Sequence, residues 1–223
     1  GDGKLFWHTL LYAKARMPMP AYMCSMNELS NHDHSRFLTR TNMKVGRLHT
    51  VGSKAANEGV DVSVFRQAVI MQMTLQGAPT IYYGDEVGVC GWTDPDNRRS
   101  FPWGREDWNI LEFHKYAINL HKRHKSLRYG SLIPILGEKD LIAYIRAVKD
   151  EQILVVIYTG SEEIEVDIPV WLMGLKNKDS LVRVMLTEET SYNVGEYAIE
   201  VKGISAKLKL KKNTAAMYLA KSV

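Results

Sequence analysis

The sequence predicts a parallel α/β region followed by an antiparallel β region. In the first half of the chain, helical and strand-like patterns alternate and polar loops follow the strands, an order typical of parallel sheets. Beyond the Arg-Tyr-Gly-Ser segment at residues 128–131, short β-rich runs separated by turn residues replace the helices. Such runs indicate an antiparallel sheet or sandwich. We therefore expect two domains, over residues 1–128 and 129–223.

The first domain contains three predicted helices and two predicted strands. Apolar residues at helical spacing predict the helices; Pro18 ends the first and Gly77 ends the second. Short apolar runs that end at polar clusters predict the strands. In chain order we expect a helix over 5–15, a strand over 21–29, a loop over 45–61, a helix over 62–75, a strand over 80–83, a loop over 87–103 and a helix over 107–125.

Eight short β-rich runs predict the strands of the second domain. In the segment 207–212, Lys and Leu alternate, so one face of that strand is expected to be solvated and the other buried. Turn residues such as Thr159-Gly-Ser separate most of the runs. The predicted strands cover 132–136, 141–148, 153–158, 164–168, 181–185, 197–201, 206–210 and 215–219.

Composition excludes several classes of protein. Hydrophobic residues make up 45% and charged residues 24% of the 223 residues, as in ordinary globular proteins. The net charge of +4 is small, so we expect no nucleic-acid partner, and no apolar run is long enough to cross a bilayer. Cys24 and Cys90 lie in apolar or Gly-rich surroundings that favour buried free thiols. The opening Gly-Asp-Gly-Lys shows neither Met nor a leader pattern, which leaves the compartment open.

Two polar clusters directly follow the two predicted strands. The first is Ser-Asn-His-Asp-His-Ser-Arg-Phe over residues 30–37, and the second is Gly-Asp-Glu over residues 84–86. In parallel α/β barrels, functional groups gather on the loops after the carboxyl ends of the strands. An acid in such a place can also cap the next helix, but the two imidazoles beside Asp33 favour an active site.

Three motifs in a fixed order carry a family resemblance. They are Asn-His-Asp at 31–33, Gly-Ala-Pro-Thr-Ile-Tyr-Tyr-Gly-Asp-Glu at 77–86 and Asp-Pro-Asp-Asn-Arg-Arg-Ser-Phe-Pro-Trp at 94–103. With them the chain resembles the α-amylase family of glycoside hydrolases, most closely its neopullulanase, cyclomaltodextrinase and maltogenic amylase branch. The resemblance implies the last strands and helices of a (β/α)8 TIM barrel, an α/β fold, followed by an all-β antiparallel sandwich. It also implies retaining cleavage of α-1,4 or α-1,6 glucosidic bonds in cyclodextrin, pullulan, starch or malto-oligosaccharides.

The resemblance assigns Asp33 and His32 to the reacting sugar. Asp33 is similar to the third catalytic carboxylate of the family, whose oxygens accept hydrogen bonds from sugar hydroxyls and whose charge opposes the positive charge of the transition state. His32 would donate a hydrogen bond to the same glucosyl unit. Arg36 would orient Asp33 or shape the cleft, with a solvated arginine at a helix start as the alternative. We expect Asp85 and Glu86 to shape the loop rather than to take part in catalysis.

The loop after the second strand is expected to bind the next sugar. In the neopullulanase branch, the pair that matches Asp94 and Arg98 contacts the neighbouring glucose on the non-reducing side, and an exposed salt bridge is the alternative. Trp92 follows Gly91 and precedes polar residues, so it is the aromatic that we expect to stack on a sugar face. For Phe101 and Trp103, we expect packing that fixes the loop at least as much as stacking on a sugar.

Two catalytic carboxylates of the family have no match in this sequence. In the family, the nucleophile lies in an Arg-x-Asp strand end and the general acid is a Glu after the next strand, and both precede Asn-His-Asp. Before Asn31, the sequence holds as acids only Asp2 and Glu28, and neither has a matching context. We therefore expect a C-terminal segment of a larger enzyme that is inactive alone.

The expected partner is an α-glucan oligosaccharide or polysaccharide, and neither nucleic acid nor a membrane is expected. Because two barrel strands alone expose apolar edges, we also expect a homodimer or association with the remaining part of the barrel. No cofactor is evident, and calcium stays open for the intact enzyme. A non-catalytic carbohydrate-binding or interaction module is the alternative function.

Overall fold

The structure is a computed structural model that describes residues 1–222. The α-helices of this range are α1 (Gly3–Ala15), α2 (Met19–Met23), α3 (Phe37–Arg40), α4 (Leu48–Val51), α5 (Val62–Thr74), α6 (Trp108–Arg123) and α7 (Lys125–Tyr129). The strands are β1 (Met26–Glu28), β2 (Ala78–Thr80), β3 (Ser131–Glu138), β4 (Leu141–Val148), β5 (Glu151–Tyr158), β6 (Ile164–Pro169), β7 (Ser180–Thr187), β8 (Tyr192–Asn193), β9 (Tyr197–Glu200), β10 (Ser205–Leu210) and β11 (Thr214–Lys221).

The two strands of the first half form a parallel pair. Residue Met26 lies beside Ala78, and Glu28 lies beside Thr80. The helix α5 lies between β1 and β2 in the chain, as a parallel crossover requires. The strand expected over 80–83 is wrong in its position, because β2 lies two residues earlier and shares only Thr80 with it. The strand expected over 21–29 is wrong in its first part, because β1 covers only Met26–Glu28. Residues 19–23 form a helical turn there, which Pro20 favours at the start of a helix.

Aspartate side chains cap the three long helices. The carboxylate of Asp2 accepts a hydrogen bond from the backbone N–H of Leu5, and Asp61 and Asp107 cap α5 and α6 in the same way. Such caps satisfy N–H groups that have no partner within the helix. The predicted helices over 5–15, 62–75 and 107–125 are therefore present, with ends that differ by one or two residues.

The strands of the second half form a large antiparallel sheet and a separate antiparallel pair. In the described residues, the large sheet has the order β3-β4-β5-β11-β7-β8, with β9 also paired to β7. The pair consists of β6 and β10. In β10, Leu208 and Leu210 are buried, and Lys207 and Lys209 are exposed, as their alternation predicts. All eight predicted strands are present; the two-residue β8 is an additional one.

The large sheet has an apolar core on each face. On one face, Tyr144, Ile153 and Val155 pack with side chains of the helices. On the other face, Ala143 and Leu154 pack with the apolar side of the β6–β10 pair. The sheet is thus the middle layer between the helices and the second sheet, and this layering holds the loops after β1 and β2 on a rigid support.

Two buried polar side chains join the helices to the large sheet. Gln67 in α5 donates a hydrogen bond of 2.7 Å to the backbone oxygen of Tyr158. Arg146 in β4 donates to the backbone oxygens of Thr74 and Gly130. Burial lowers the pKa of Arg146 to about 10. These bonds stabilise the interface because their polar atoms have no access to water.

The two cysteines differ in exposure. Cys90 is buried as expected, but Cys24 is exposed, so the prediction of a buried thiol at position 24 is wrong. Cys24 follows the short α2, whose residues are mostly exposed. Among residues 1–222, no helix combines the length and the apolar character that a bilayer crossing requires.

Candidate active site

The two polar clusters of the sequence lie at the same edge of the parallel pair. Residues 30–37 follow β1, and residues 81–98 follow β2. Because β1 and β2 run in the same direction, their carboxyl ends meet at one edge of the sheet. Hydrogen bonds between the two loops hold them against each other. This edge is where active sites of parallel α/β barrels form.

Asn31 shapes the segment that carries Asp33. Its Oδ1 atom accepts hydrogen bonds from the backbone N–H groups of Asp33 (2.9 Å) and His34 (3.1 Å), as in an Asx turn. The side chains of His32 and Asp33 are 62% and 67% exposed, and His32 Nε2 lies 3.5 Å from Asp33 Oδ1. The turn therefore leaves the Asp33 carboxylate open to a ligand.

Asn97 joins the loop after β2 to the Asp33 segment. Its Nδ2 atom donates to the backbone oxygens of Asn31 (3.1 Å) and His34 (2.7 Å). Asn97 is fully buried. Asn97 was not among the predicted site residues, although it lies between Asp94 and Arg98 in the motif that carried the resemblance. Its place in the middle of that motif is the signal that could have identified it.

Arg36 is buried in the loops. Its Nε atom donates to the backbone oxygen of Asn97 (2.8 Å), and Nη1 donates to the backbone oxygen of Tyr83 (2.6 Å) and to Asp85 Oδ1 (2.9 Å). The guanidinium also lies 4.0 Å from the ring centroid of Tyr82. The alternative of a solvated arginine is thus wrong. With 0% exposure, Arg36 shapes the loops and presents no surface to a sugar.

Asp85 is the anionic partner of Arg36. Burial raises the pKa of Asp85, while the hydrogen bond from Ser30 and the charge and hydrogen bond of Arg36 act in the opposite direction. Ser30 Oγ also accepts a hydrogen bond of 3.0 Å from the backbone N–H of Phe37. Asp85 therefore links both loops from inside and lies away from solvent.

The pair Asp94 and Arg98 lies on the outside of its loop. Arg98 Nε is 2.5 Å from Asp94 Oδ1, and the two side chains are 48% and 50% exposed. The neighbouring pair Asp96 and Arg99 is more buried, at 2.7 Å, and Asp96 Oδ2 also accepts from the backbone N–H of Trp92. The inner pair fixes the loop, and the outer pair remains accessible to a ligand.

Trp92 does not provide a sugar platform. Its side chain is 2% exposed, and its indole N–H donates to the backbone oxygen of Gly52 at 3.1 Å. The expectation that Trp92 stacks on a sugar is wrong, because both ring faces lie within the protein core. Trp103, by contrast, is 80% exposed and contacts Phe101 with ring centroids 4.4 Å apart. Trp103, unlike Trp92, is therefore open to solvent.

A cavity of about 850 Å³ lies elsewhere, between β10 and the β7–β9 edge of the sandwich. Charged side chains on its rim pair with each other, as Lys207 and Glu165 do at 2.8 Å, and its lining includes no residue of the three motifs. In residues 1–222, no group of three or more His, Cys, Asp or Glu has an arrangement that could hold a metal ion. The clustered motif residues, rather than this cavity, define the candidate active site.

Comparison with known sequences agrees with the motifs. Residues 6–115 match the family described as "Alpha amylase, catalytic domain". Amylopullulanase of Thermoanaerobacter thermohydrosulfuricus is 38% identical over 133 residues, which are 60% of this chain and 9% of that protein. Neopullulanase 2 of Thermoactinomyces vulgaris is 38% identical over 156 residues, 67% of this chain and 24% of that protein. The chain thus spans a quarter or less of the length of these curated relatives.

Solved structures agree with the predicted fold. An α-amylase from Geobacillus thermoleovorans, complexed with acarbose, matches 100% of this chain and 44% of its own chain, with a TM-score of 0.77 and 23% identity. The debranching enzyme from Nostoc punctiforme matches 100% of this chain and 40% of its own, with a TM-score of 0.71 and 21% identity. These likenesses confirm the predicted fold class, the end of a barrel followed by a β-sandwich.

Proposed function

Because the chain belongs to the α-amylase family, we propose that it forms part of an α-glucan hydrolase and carries one catalytic carboxylate of that enzyme, Asp33. One observation carries this proposal. Asp33 is exposed at the carboxyl end of β1, while hydrogen bonds to Asn31 and from Asn97 hold the backbone on both sides of it. A carboxylate that is accessible to a ligand and held on a fixed backbone has the preorganisation that stabilisation of a transition state requires.

In the proposed reaction, Asp33 acts on the sugar whose glycosidic bond breaks. Its two oxygens accept hydrogen bonds from adjacent hydroxyls, and its negative charge stabilises the oxocarbenium-like transition state. His32 lies beside it, with Nε2 3.5 Å from Asp33 Oδ1, and would donate a hydrogen bond to the same sugar. Asp94 and Arg98 would bind the next sugar through their exposed polar atoms.

The bond-breaking step also needs a nucleophile and a general acid, which in retaining enzymes lie about 5–5.5 Å apart. Within the present sequence, no acidic pair has the context that the family uses for these two groups. We therefore propose that residues 1–223 do not hydrolyse glucans alone and that other barrel strands supply both groups. We also propose the division into a barrel part, residues 1–128, and a sandwich part, residues 129–223.

The proposed substrates are α-1,4-linked glucans, with α-1,6-linked glucans as the alternative. The support for this choice is the names of the relatives, which include neopullulanase, cyclomaltodextrinase and amylopullulanase. The experiment is to incubate the intact enzyme with cyclodextrin, pullulan and starch and to follow the anomeric form of the released sugar by NMR. The chain of residues 1–223 alone is assayed in parallel.

We expect the intact enzyme to cleave at least one of these glucans with retention at the anomeric carbon, and the isolated chain to cleave none. Absence of cleavage by the intact enzyme on all three substrates would contradict the proposed function. Cleavage by the isolated chain would contradict the proposal that the nucleophile and the acid lie elsewhere. Glucan binding without cleavage by the intact enzyme would favour the binding module instead.

A further inference from the structure

Both N–H groups of the Asn97 side chain donate to the segment that carries Asp33. Nδ2 lies 3.1 Å from the backbone oxygen of Asn31 and 2.7 Å from that of His34. An amide nitrogen has two donor hydrogens, so these two bonds use its full capacity. They hold the segment immediately before His32 and immediately after Asp33.

The orientation of this amide follows from its neighbours. If the amide were turned over, Oδ1 would face two backbone oxygens, and acceptors do not bond to each other. In the present orientation, Oδ1 is buried and has no hydrogen-bond partner among residues 1–222. A buried acceptor without a partner is unfavourable for stability. The Asn97 side chain therefore fixes the geometry of the Asp33 segment through its two donated bonds, although its unpaired Oδ1 atom lowers the stability of the protein.

Asn97 is itself held in place from the other side. Its backbone oxygen accepts the 2.8 Å hydrogen bond from Arg36 Nε. The loop also packs closely on Gly91, where an added Cβ would lie 2.5 Å from the backbone oxygen of Asp96 and 2.8 Å from Asn97 Cα. Gly91 in turn accepts a hydrogen bond of 2.9 Å from the backbone N–H of Arg36. The Asn97 amide is thus a rigid donor on a fixed loop.

Two sets of bonds restrain the Asp33 segment together. Asn31 Oδ1 accepts from the N–H groups of Asp33 and His34, and Asn97 Nδ2 donates to the backbone oxygens of Asn31 and His34. Without Asn97, the turn would keep its internal bonds and the 2.7 Å bond from Asn31 Nδ2 to Glu28 Oε1 at the end of β1, but residues 31–34 would lose the two bonds that tie them to the loop after β2. The Asp33 carboxylate is exposed, so the backbone determines its position.

We propose that Asn97 is a positioning residue that fixes the Asp33 carboxylate relative to the Asp94–Arg98 pair. The inference rests on the proposed function, in which Asp33 stabilises the transition state. Asn97 does not touch the sugar; it acts through the backbone of residues 31–34. A displacement of about 1 Å at a catalytic group can reduce the rate by about 100-fold.

The test compares three variants of the intact enzyme. Asn97→Ala removes both donors, and Asn97→Asp keeps the shape of the side chain and removes both donors. Asn27→Ala is the matched control, because Asn27 Nδ2 also lies near two backbone oxygens, those of Gln72 and Leu75, at 3.4 Å. Gln72 lies in α5 and Leu75 directly follows this helix, so both are outside the loops that hold Asp33.

We expect kcat on the preferred glucan to fall by about 10- to 100-fold in both Asn97 variants. Their KM should change by less than about threefold, because Asn97 does not contact the sugar. In the control Asn27→Ala, kcat should stay within about twofold of the wild-type value. Hydrogen exchange of the backbone amides of Asp33 and His34 should accelerate in the Asn97 variants alone. A purely structural role would lower the melting temperature and leave the kcat of the folded protein unchanged. If Asn97→Ala does not fold, Asn97→Ser takes its place. Serine removes less side-chain volume than alanine and keeps one donor, its hydroxyl group.

The inference would be overturned if the Asn97 variants kept the kcat of the wild type and its exchange rates at the amides of Asp33 and His34. The exchange measurement does not depend on activity. If the wild-type enzyme cleaves no glucan and exchange still accelerates, the proposed function fails while the restraint by Asn97 stands. If the wild-type enzyme cleaves glucans and neither kcat nor exchange changes in the variants, the positioning role fails while the proposed function stands.

Discussion

The guanidinium of Arg36 lies 2.9 Å from the carboxylate of Asp85, and both side chains are buried. This ion pair joins the segment after β1 to the loop after β2. Arg36 also donates to the backbone oxygen of Asn97, so the pair supports the loop that restrains Asp33. The arrangement of the candidate site therefore depends on a charge pair that no ligand reaches.

Replacement of Arg36 by Leu should destabilise the protein strongly. The change leaves the buried Asp85 carboxylate without its cationic partner, and loss of one member of a buried pair costs about 3–5 kcal/mol. The measurement is the free energy of unfolding in urea. Arg98→Leu is the control, because its pair with Asp94 is half-exposed and such a pair contributes at most about 1 kcal/mol. Equal losses of unfolding free energy in the two variants would show that the Arg36–Asp85 pair does not stabilise the two loops.

The two tryptophans of the second loop should behave in opposite ways. Trp92 is 2% exposed and Trp103 is 80% exposed. We expect Trp92→Ala to reduce the free energy of unfolding by about 3–5 kcal/mol, because it leaves a cavity in the core. Trp103→Ala should change it by less than about 0.5 kcal/mol. Urea unfolding of both variants decides the matter, and a stable Trp92→Ala protein would contradict the burial of that ring.

Stability should fall in mild acid because of His114. Its ring is buried between Phe65 and Phe113; burial lowers its pKa, and the hydrogen bond to the backbone oxygen of Ile110 only partly opposes this. The unfolded chain binds a proton near the ordinary pKa of about 6.5, whereas the folded protein binds it only at lower pH. Stability conferred by the neutral ring is thus present above about pH 6.5 and is lost as the pH falls from there towards the folded pKa.

The variant His114→Gln tests this pH dependence. It keeps a donor for the oxygen of Ile110 and removes the titrating ring. Between about pH 7.5 and 5.5, where an ordinary His titrates, the loss of stability should be smaller in the variant than in the wild type. Burial also lowers the pKa of His121, so part of the slope should remain. An unchanged slope would exclude His114 as a source of the acid sensitivity.

The sequence predicted the regular elements well where local signals agreed. The helix α5 has an aspartate cap at Asp61 and ends before Gly77, and the alternation of Lys and Leu in β10 matches its one exposed face. These signals depend on residues that are close in the chain. The strand expected over 21–29 failed in part because Pro20 can start a helical turn as well as end a helix.

The site was predicted less completely because burial of a single side chain depends on distant parts of the chain. Arg36 lies in a polar segment and Trp92 lies in a Gly-containing one, contexts that suggest exposure, yet the two loops enclose both side chains. The contacts of Asn97 with Asn31 and His34 join residues that are more than sixty positions apart. Only the packing of the loop after β2 against the loop after β1 brings them together.

The most direct test of the proposed role of Asp33 is kcat of the Asp33→Asn variant of the intact enzyme on the glucan that the wild type cleaves fastest. Asparagine keeps the size of the side chain and removes its negative charge, so the folded protein should have the stability of the wild type, because Asp33 is exposed. We predict that kcat falls on the order of 10²–10³-fold, the effect of removing one group that stabilises a transition state. A kcat within twofold of the wild-type value would contradict the assignment of Asp33 as a catalytic carboxylate.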